Sequence, residues 1–186
     1  LFVTYEPKML HLKGNKKRIL ELFFESPLKN FYLREISRKT SVAITSVKRY
    51  VKELIDEKMV VKVNKEIYPA FKSNRESDDG TFRFYKKLNT IEKLQTSGLL
   101  DFLEDNCAPK CIILFGSASR GEDVERSDID LFIQSYEKKL DLSKFEKKLE
   151  REINLLFENN FSKISKELKN NILNGVVLRG YLKVFK

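Results

Sequence analysis

The chain has 186 residues, of which 41% are hydrophobic and 34% charged, and its net charge is +9. That length suits one large domain or two small ones, and the composition is that of a chain able to bury a core, which excludes a disordered or fibrous class. No run of about 18 apolar residues occurs, so no membrane span is expected, and the lysine-rich first twenty residues lack the apolar stretch of a secretory signal.

The charge is unevenly spread. Residues 1–75 hold 17 Lys/Arg against 8 Asp/Glu, whereas residues 76–186 hold 19 against 19. The whole excess lies in the first part, a distribution that suggests a nucleic-acid face there. A basic surface without a partner is the alternative. Cys107 and Cys111 are too few for a disulfide framework or a four-ligand zinc site, so reduced, partly buried thiols and a cytoplasmic location are expected.

In chain order, Lys16–Glu25 carries Ile19, Leu20, Phe23 and Phe24 at helical spacing and is stopped by Pro27. A short extended piece, Phe31–Tyr32, leads into a two-turn helix, Leu33–Thr40. After Ser41-Val42-Ala43 a longer helix runs from about Ile44 to Glu57, with Val47, Val51, Leu54 and Ile55 on one stripe and Ser46, Lys48, Arg49 and Lys52 on other faces. A short helix, a tight turn and a longer helix with a basic face describe a helix-turn-helix, whose second helix can enter a major groove. Two strands, Met59–Val63 and Ile67–Phe71 around Asn64-Lys65-Glu66, resemble the wing of a winged helix, with Lys62 and Lys65 placed to reach phosphates. Double-stranded DNA is the expected partner, and a winged helix used for protein docking or dimerisation is the alternative. A homodimer stays open.

Residues 73–80 carry turn formers and charge but no apolar residue and read as a loop. A linker helix from Phe82 to Leu103 follows, with Phe84, Leu88, Ile91, Leu94, Leu99 and Leu100 as its apolar residues. It is expected to pack the two domains together or to mediate pairing. The division is 1–75, a linker helix within 76–105, and 106–186. The fold class is α+β, with the N-terminal unit followed by a small α/β domain with a mixed sheet.

The chemistry lies in Cys111-Ile-Ile-Leu-Phe-Gly116-Ser117, Arg120-Gly121 and Ser127-Asp128-Ile-Asp130-Leu-Phe-Ile133. Ile112–Phe115 reads as a buried strand, and Gly116-Ser117 ends it and opens a turn into a helix. Backbone N–H groups at such a start, with a serine hydroxyl, suit phosphate. Asp128 and Asp130, two apart at the start of a second strand, point the same way. Two carboxylates aimed at one point repel each other and favour a cation. Mg²⁺ takes hard oxygen ligands and often binds through one or two carboxylates plus substrate phosphates. An Asx-rich turn capping a strand is the bland reading.

Gly-Ser, ten residues, Asp-x-Asp resembles the motif of the DNA polymerase β-like nucleotidyltransferases, specifically the minimal nucleotidyltransferase group, and Gly116, Ser117, Asp128 and Asp130 match it without a gap. The resemblance implies that Gly116 and Ser117 hold a triphosphate, from ATP or another nucleoside triphosphate, and that Asp128 and Asp130 bind Mg²⁺, up to two ions. Arg120 and Ser127 stand where such sequences often carry basic and small polar residues, with a phosphate contact open for Arg120. Minimal relatives act as antitoxins that adenylylate a toxin, so a cognate toxin ranks first as a protein acceptor. The layout also looks like a family in which a winged helix is fused to such a domain. The family's third carboxylate falls at Asn154, on an expected strand Ile153–Glu158 after a helix from Leu142 to Ile153. Asn154 is at most a weak third ligand and no base, although Glu152 and Glu158 share its strand parity. The last segment, Phe161 to Asn171 and then Val176–Phe185, reads as a helix plus a short closing piece.

Overall fold

The computed structural model describes residues 14–63 and 68–184. The chain divides into two compact units between Tyr85 and Lys86. Lys65 and the rest of the expected hairpin tip lie outside the described residues.

The first unit runs α1 (Gly14–Glu25), α2 (Leu33–Thr40), α3 (Ile44–Asp56), β1 (Val60–Val63) and β2 (Ala70–Ser73). The apolar periodicity does what it should: Ile19, Leu20, Phe23 and Phe24 of α1 and Val47, Val51 and Leu54 of α3 are buried in one core with Phe31, Ile36 and Phe71. At the α2–α3 corner Ser41 adopts φ +54, the Ser37 hydroxyl donates to the Val42 carbonyl at 2.6 Å, and the Arg18 guanidinium donates to the Thr40 carbonyl at 3.2 Å. Lys16 ties α1 to α3 through Glu53 at 3.1 Å and Glu57 at 2.8 Å. The hairpin is antiparallel, pairing Val60 with Ser73 and Val63 with Ala70. Its second strand begins at Ala70, directly after Pro69, which has no N–H for a ladder, and the expected start at Ile67 lies outside the described residues. Phe31 pairs with Phe71 through two backbone bonds of 2.8 Å, which accounts for the extended piece before α2.

The polar segment 73–80 is pinned by its own side chains. Asp79 accepts from the Ser77 hydroxyl at 2.7 Å and from the Thr81 N–H at 3.0 Å, and it pairs with Lys58 at 3.2 Å. These bonds, the Ser77 hydroxyl first, hold its carboxyl well below the usual carboxylate range. The expected linker helix is in fact two: α4 (Thr81–Ser97) and α5 (Leu99–Cys107). Gly98 breaks it with φ +83, a conformation glycine adopts without strain, and the Ser97 hydroxyl accepts the Leu99 N–H. The α4 stripe is only partly the one marked by its large apolar residues. Leu94 is buried as expected, but Phe84 and Leu88 are exposed, while Phe82, Tyr85, Lys86, Asn89 and Thr90 are buried.

The second unit continues with β3 (Cys111–Phe115), α6 (Gly116–Arg120), β4 (Ile129–Ile133), α7 (Ser143–Leu149), β5 (Ile153–Phe157), a 3₁₀ turn (Phe161–Lys163), α8 (Lys166–Leu173) and β6 (Val176–Gly180). The sheet order is β5-β4-β3-β6, with β4–β5 parallel and the other pairs antiparallel, so the sheet is mixed. The parallel pair needs a crossover, and α7 supplies it. The α7 helix ends at Leu149, capped by Glu150 at φ +55, four residues short of the expected end. Alternation along the strands makes two layers. Ile112, Leu114, Ile129, Leu131 and Ile133 pack with α5 and α7, whereas Cys111, Ile113 and Phe132 pack with Phe161, Ile164 and Ile172. The closing segment is a full fourth strand, β6, rather than a tail. Among the described residues no helix is long and apolar enough to cross a membrane.

Cys107 and Cys111 are free and buried. Burial raises the Cys107 thiol and pushes Cys111 up from 9.0 to about 11. The folded chain is therefore expected to react with iodoacetamide at pH 8 far more slowly than the unfolded chain, as read by mass spectrometry of the two thiols. Because the folded Cys111 holds its proton above 9.0 while the unfolded one does not, its contribution to stability is complete below that pH and is lost as pH rises towards 11. Urea midpoints measured across this window should fall, and by less in Cys111→Ala.

Candidate functional site

Strand register builds the site. Asp130 pairs with Phe115 on β3 and with Asn154 on β5, so the end of β3, the start of β4 and the start of β5 lie side by side. Asp128, immediately before β4, has the parity of Asp130. The Asn154 amide donates to Asp128 Oδ2 at 3.1 Å and to Asp130 Oδ1 at 3.2 Å. The two carboxylates and the carboxamide therefore meet at one point, half-buried for the aspartates and exposed for Asn154.

Gly116 makes this approach possible. It follows Phe115 with φ +72, and a Cβ built on it would lie 2.5 Å from Asp130 Oδ2. The second oxygen of Asp130 thus rests against the Gly116 backbone while the first faces Asn154. Ser117, half-buried, is the second residue of the short helix α6, and its carbonyl accepts the Glu122 N–H at 3.0 Å.

The other expected residues are more dispersed. Arg120 is exposed, and its Nε donates to Glu122 at 2.7 Å. The Ser127 hydroxyl accepts the Val124 N–H at 2.9 Å, which closes the turn before Asp128. Glu158 accepts the Asn160 N–H at 2.8 Å, a cap on the turn after β5, and the exposed Glu152 contributes its main-chain carbonyl to the Ile129 N–H. No third carboxylate joins the pair: among the described residues no group of three or more His, Cys, Asp or Glu is placed to hold a metal ion.

Three residues that the sequence did not single out stand behind the site. Arg151 donates from Nε to the Ser127 carbonyl at 2.6 Å, from Nη2 to the Asp128 carbonyl at 2.8 Å and from Nη1 to Asp123 Oδ2 at 3.0 Å. Lys86 pairs with the same Asp123 oxygen at 3.0 Å and also donates to the Asp123 carbonyl. One signal was available. Lys86 lies on the helical row Phe82, Lys86, Asn89, Thr90, and a charged residue on a buried row needs a buried partner.

In the first unit, Lys48, Arg49 and Lys52 are exposed on α3 and Ser46 is half-buried. Helical spacing sets these three basic residues on adjacent rows. Arg49 stacks over the Tyr50 ring, 4.7 Å from its centroid, and lies 3.9 Å from Glu53. Lys62 on β1 is exposed.

Gly116→Ala should both strain the backbone and drive Asp130 away. A left-handed Ala costs about 1–2 kcal/mol, so a comparable loss in urea stability is expected, together with weaker Mn²⁺ binding by calorimetry. An alanine variant as stable as the parent would show that Asp130 does not depend on this approach.

Neither curated proteins nor solved structures yield a match to this chain. Residues 98–181, from α5 to just past β6, match the family model described as polymerase beta, nucleotidyltransferase.

Proposed function

We propose that the chain transfers a nucleoside monophosphate from a nucleoside triphosphate, ATP first, to a hydroxyl of a protein or nucleic acid. We further propose that a DNA-binding winged helix-turn-helix in its first 75 residues tethers this activity to double-stranded DNA. The observation that carries the reading is the convergence of Asp128, Asp130 and Asn154 beside Gly116, within a segment that matches the nucleotidyltransferase model. The donor set fits Mg²⁺: two carboxylates and a carboxamide are hard oxygen ligands, and the two anions have only an amide N–H between them. Asp128 and Asp130 would hold the metal, and Asn154 would turn its carbonyl oxygen to it. Bound there, Mg²⁺ would neutralise triphosphate charge and align the α-phosphorus.

Gly116 and Ser117 hold the triphosphate, with Arg120 at its edge. The acceptor oxygen forms a bond to the α-phosphorus as the bond to the bridging α–β oxygen breaks, and pyrophosphate leaves. The hydroxyl proton passes to water, because Asn154 has no carboxylate to take it, and turnover is slow. Lys48, Arg49 and Lys52 on α3, with Lys62, meet the DNA backbone and groove. A cognate toxin is the protein acceptor to try first.

A second reading has its own support. The Asn154 N–H shared between the two aspartates suits a domain that senses nucleotide without turnover, attached to a transcriptional regulator.

Incubation with α-labelled ATP and Mg²⁺ separates the two. Label should pass to a protein or nucleic acid and disappear in Asp128→Ala and Asp130→Ala, while Asn154→Asp should raise the rate by ~100-fold or more, the low end of general-base effects. Nucleotide binding without transfer, unchanged by Asn154→Asp, favours the sensor. For DNA, affinity should fall steeply with salt, and Arg49→Ala should weaken it and reduce the slope of log K against log salt by about 1. Binding that is absent or insensitive to salt removes the tether.

A further inference from the structure

The chain between α6 and β4, Gly121-Glu-Asp-Val-Glu-Arg-Ser-Asp128, contains one apolar residue, Val124. It cannot be fixed by burial of apolar surface, yet it must present Asp128. What holds it is ionic and buried. Asp123 is 5% exposed, the Lys86 side chain 3% and the Arg151 side chain 16%. Asp123 Oδ2 receives both cations at 3.0 Å, and Asp123 Oδ1 accepts no hydrogen bond among the described residues. Arg151 uses its three nitrogens on three different acceptors: the Asp123 carboxylate and the carbonyls of Ser127 and Asp128. A planar guanidinium fixes the relative directions of those acceptors, which a point-charge ammonium cannot do.

We infer that Arg151, seated by the buried Asp123–Lys86 pair, is the positioning residue for Asp128. It locks the peptide groups on either side of the Asp128 Cα, so that the Asp128 carboxylate faces Asp130 before any ligand arrives. Arg151 touches neither nucleotide nor acceptor; it acts through Asp128. The lock is a property of the fold, and its consequence for metal and nucleotide rests on the function proposed above.

The experiment compares the full chain with Arg151→Lys, which keeps a cation beside Asp123 but loses the three-way fork, and with Arg151→Met, which keeps only the stem. Two readouts are taken: amide hydrogen exchange, and Mn²⁺ binding by electron paramagnetic resonance. In Arg151→Lys the Ser127 and Ile129 amides, which bond to Val124 and Glu152 carbonyls, should exchange at least ~10-fold faster, a change expected of local opening. The β3 amides of Ile113 and Leu114 should stay as protected as in the parent. Mn²⁺ affinity should drop ~10-fold or more, and Arg151→Met should be worse on both counts if it folds. Parent-like protection of Ser127 and Ile129 in Arg151→Lys overturns the inference, as does a loss that spreads equally to β3, which would make Arg151 a general stabiliser. A parent that neither takes Mn²⁺ nor transfers label, with exchange still responding at Ser127 and Ile129, upholds the lock and sinks the proposed activity instead.

Discussion

The pairing of Asp130 with Phe115 on one side and Asn154 on the other is the constraint from which the second unit follows. Strand side chains alternate, so a slip of one residue in either ladder would send the aspartate to the opposite face and Ile129 or Leu131 into water. The two-layered core prevents that slip. Ile129, Leu131 and Ile133 are committed to the α5–α7 side and Phe132 to the α8 side, each almost fully buried. At ~1.5–3 kcal/mol for a fully buried large aliphatic or aromatic side chain, these residues far outweigh the repulsion of two half-buried carboxylates. Apolar packing thus sets the register, and the register brings the acidic pair together.

Asp128 is a different matter, because it precedes the strand and no ladder bond holds it. The loop before it is polar, and its geometry depends on Lys86, Asp123 and Arg151. Two cations share one oxygen of this carboxylate, and its other oxygen accepts no hydrogen bond among the described residues. Such a group adds little to net stability compared with an apolar replacement, but breaking it by removing one partner costs about 3–5 kcal/mol. A domain of ordinary stability, ~5–15 kcal/mol, would lose a large share of it. The arrangement makes sense as a device for holding a direction, since apolar side chains fill space but do not fix carbonyls.

Much of this could be read from residues alone, and the failures have physical causes. The stripe on α3, the β3 strand and the shared direction of Asp128 and Asp130 were legible because periodicity and parity are local properties, whereas the place of Asn154 beside them came from the family resemblance. The break at Gly98 was missed because the apolar residues on either side run on through it. A lone glycine in a helical pattern costs about 1 kcal/mol relative to Ala, and only its φ of +83 marks it as a stop. The α4 face was misjudged for the opposite reason: its buried row runs through Lys86, Asn89 and Thr90, which hydropathy assigns to solvent. β6 was taken for a tail because Val176–Gly180 is short and its alternation covers barely two periods, so its identity depends on β3, more than sixty residues away. The ion group behind Asp128 was invisible because its members, at 86, 123 and 151, meet only in the folded chain.

On the function proposed above, the chemistry turns on Asn154. With Asp at this position, three carboxylates would face one another and the site would be strained without a cation. With Asn, the amide N–H satisfies one oxygen of each aspartate, so the pair is at ease as it stands. A cation entering there must displace two hydrogen bonds to charged groups, each worth about 1.5–3 kcal/mol, before it gains from the carboxylates. Metal affinity should therefore be modest for the protein alone and greater when triphosphate oxygens arrive with the ion, since they supply the ligands that the missing carboxylate does not. The same exchange removes the group that would take a proton from an acceptor hydroxyl. On the proposed reading, one atom replaced, oxygen by nitrogen, makes the site dependent on its nucleotide for metal and on water to take the proton.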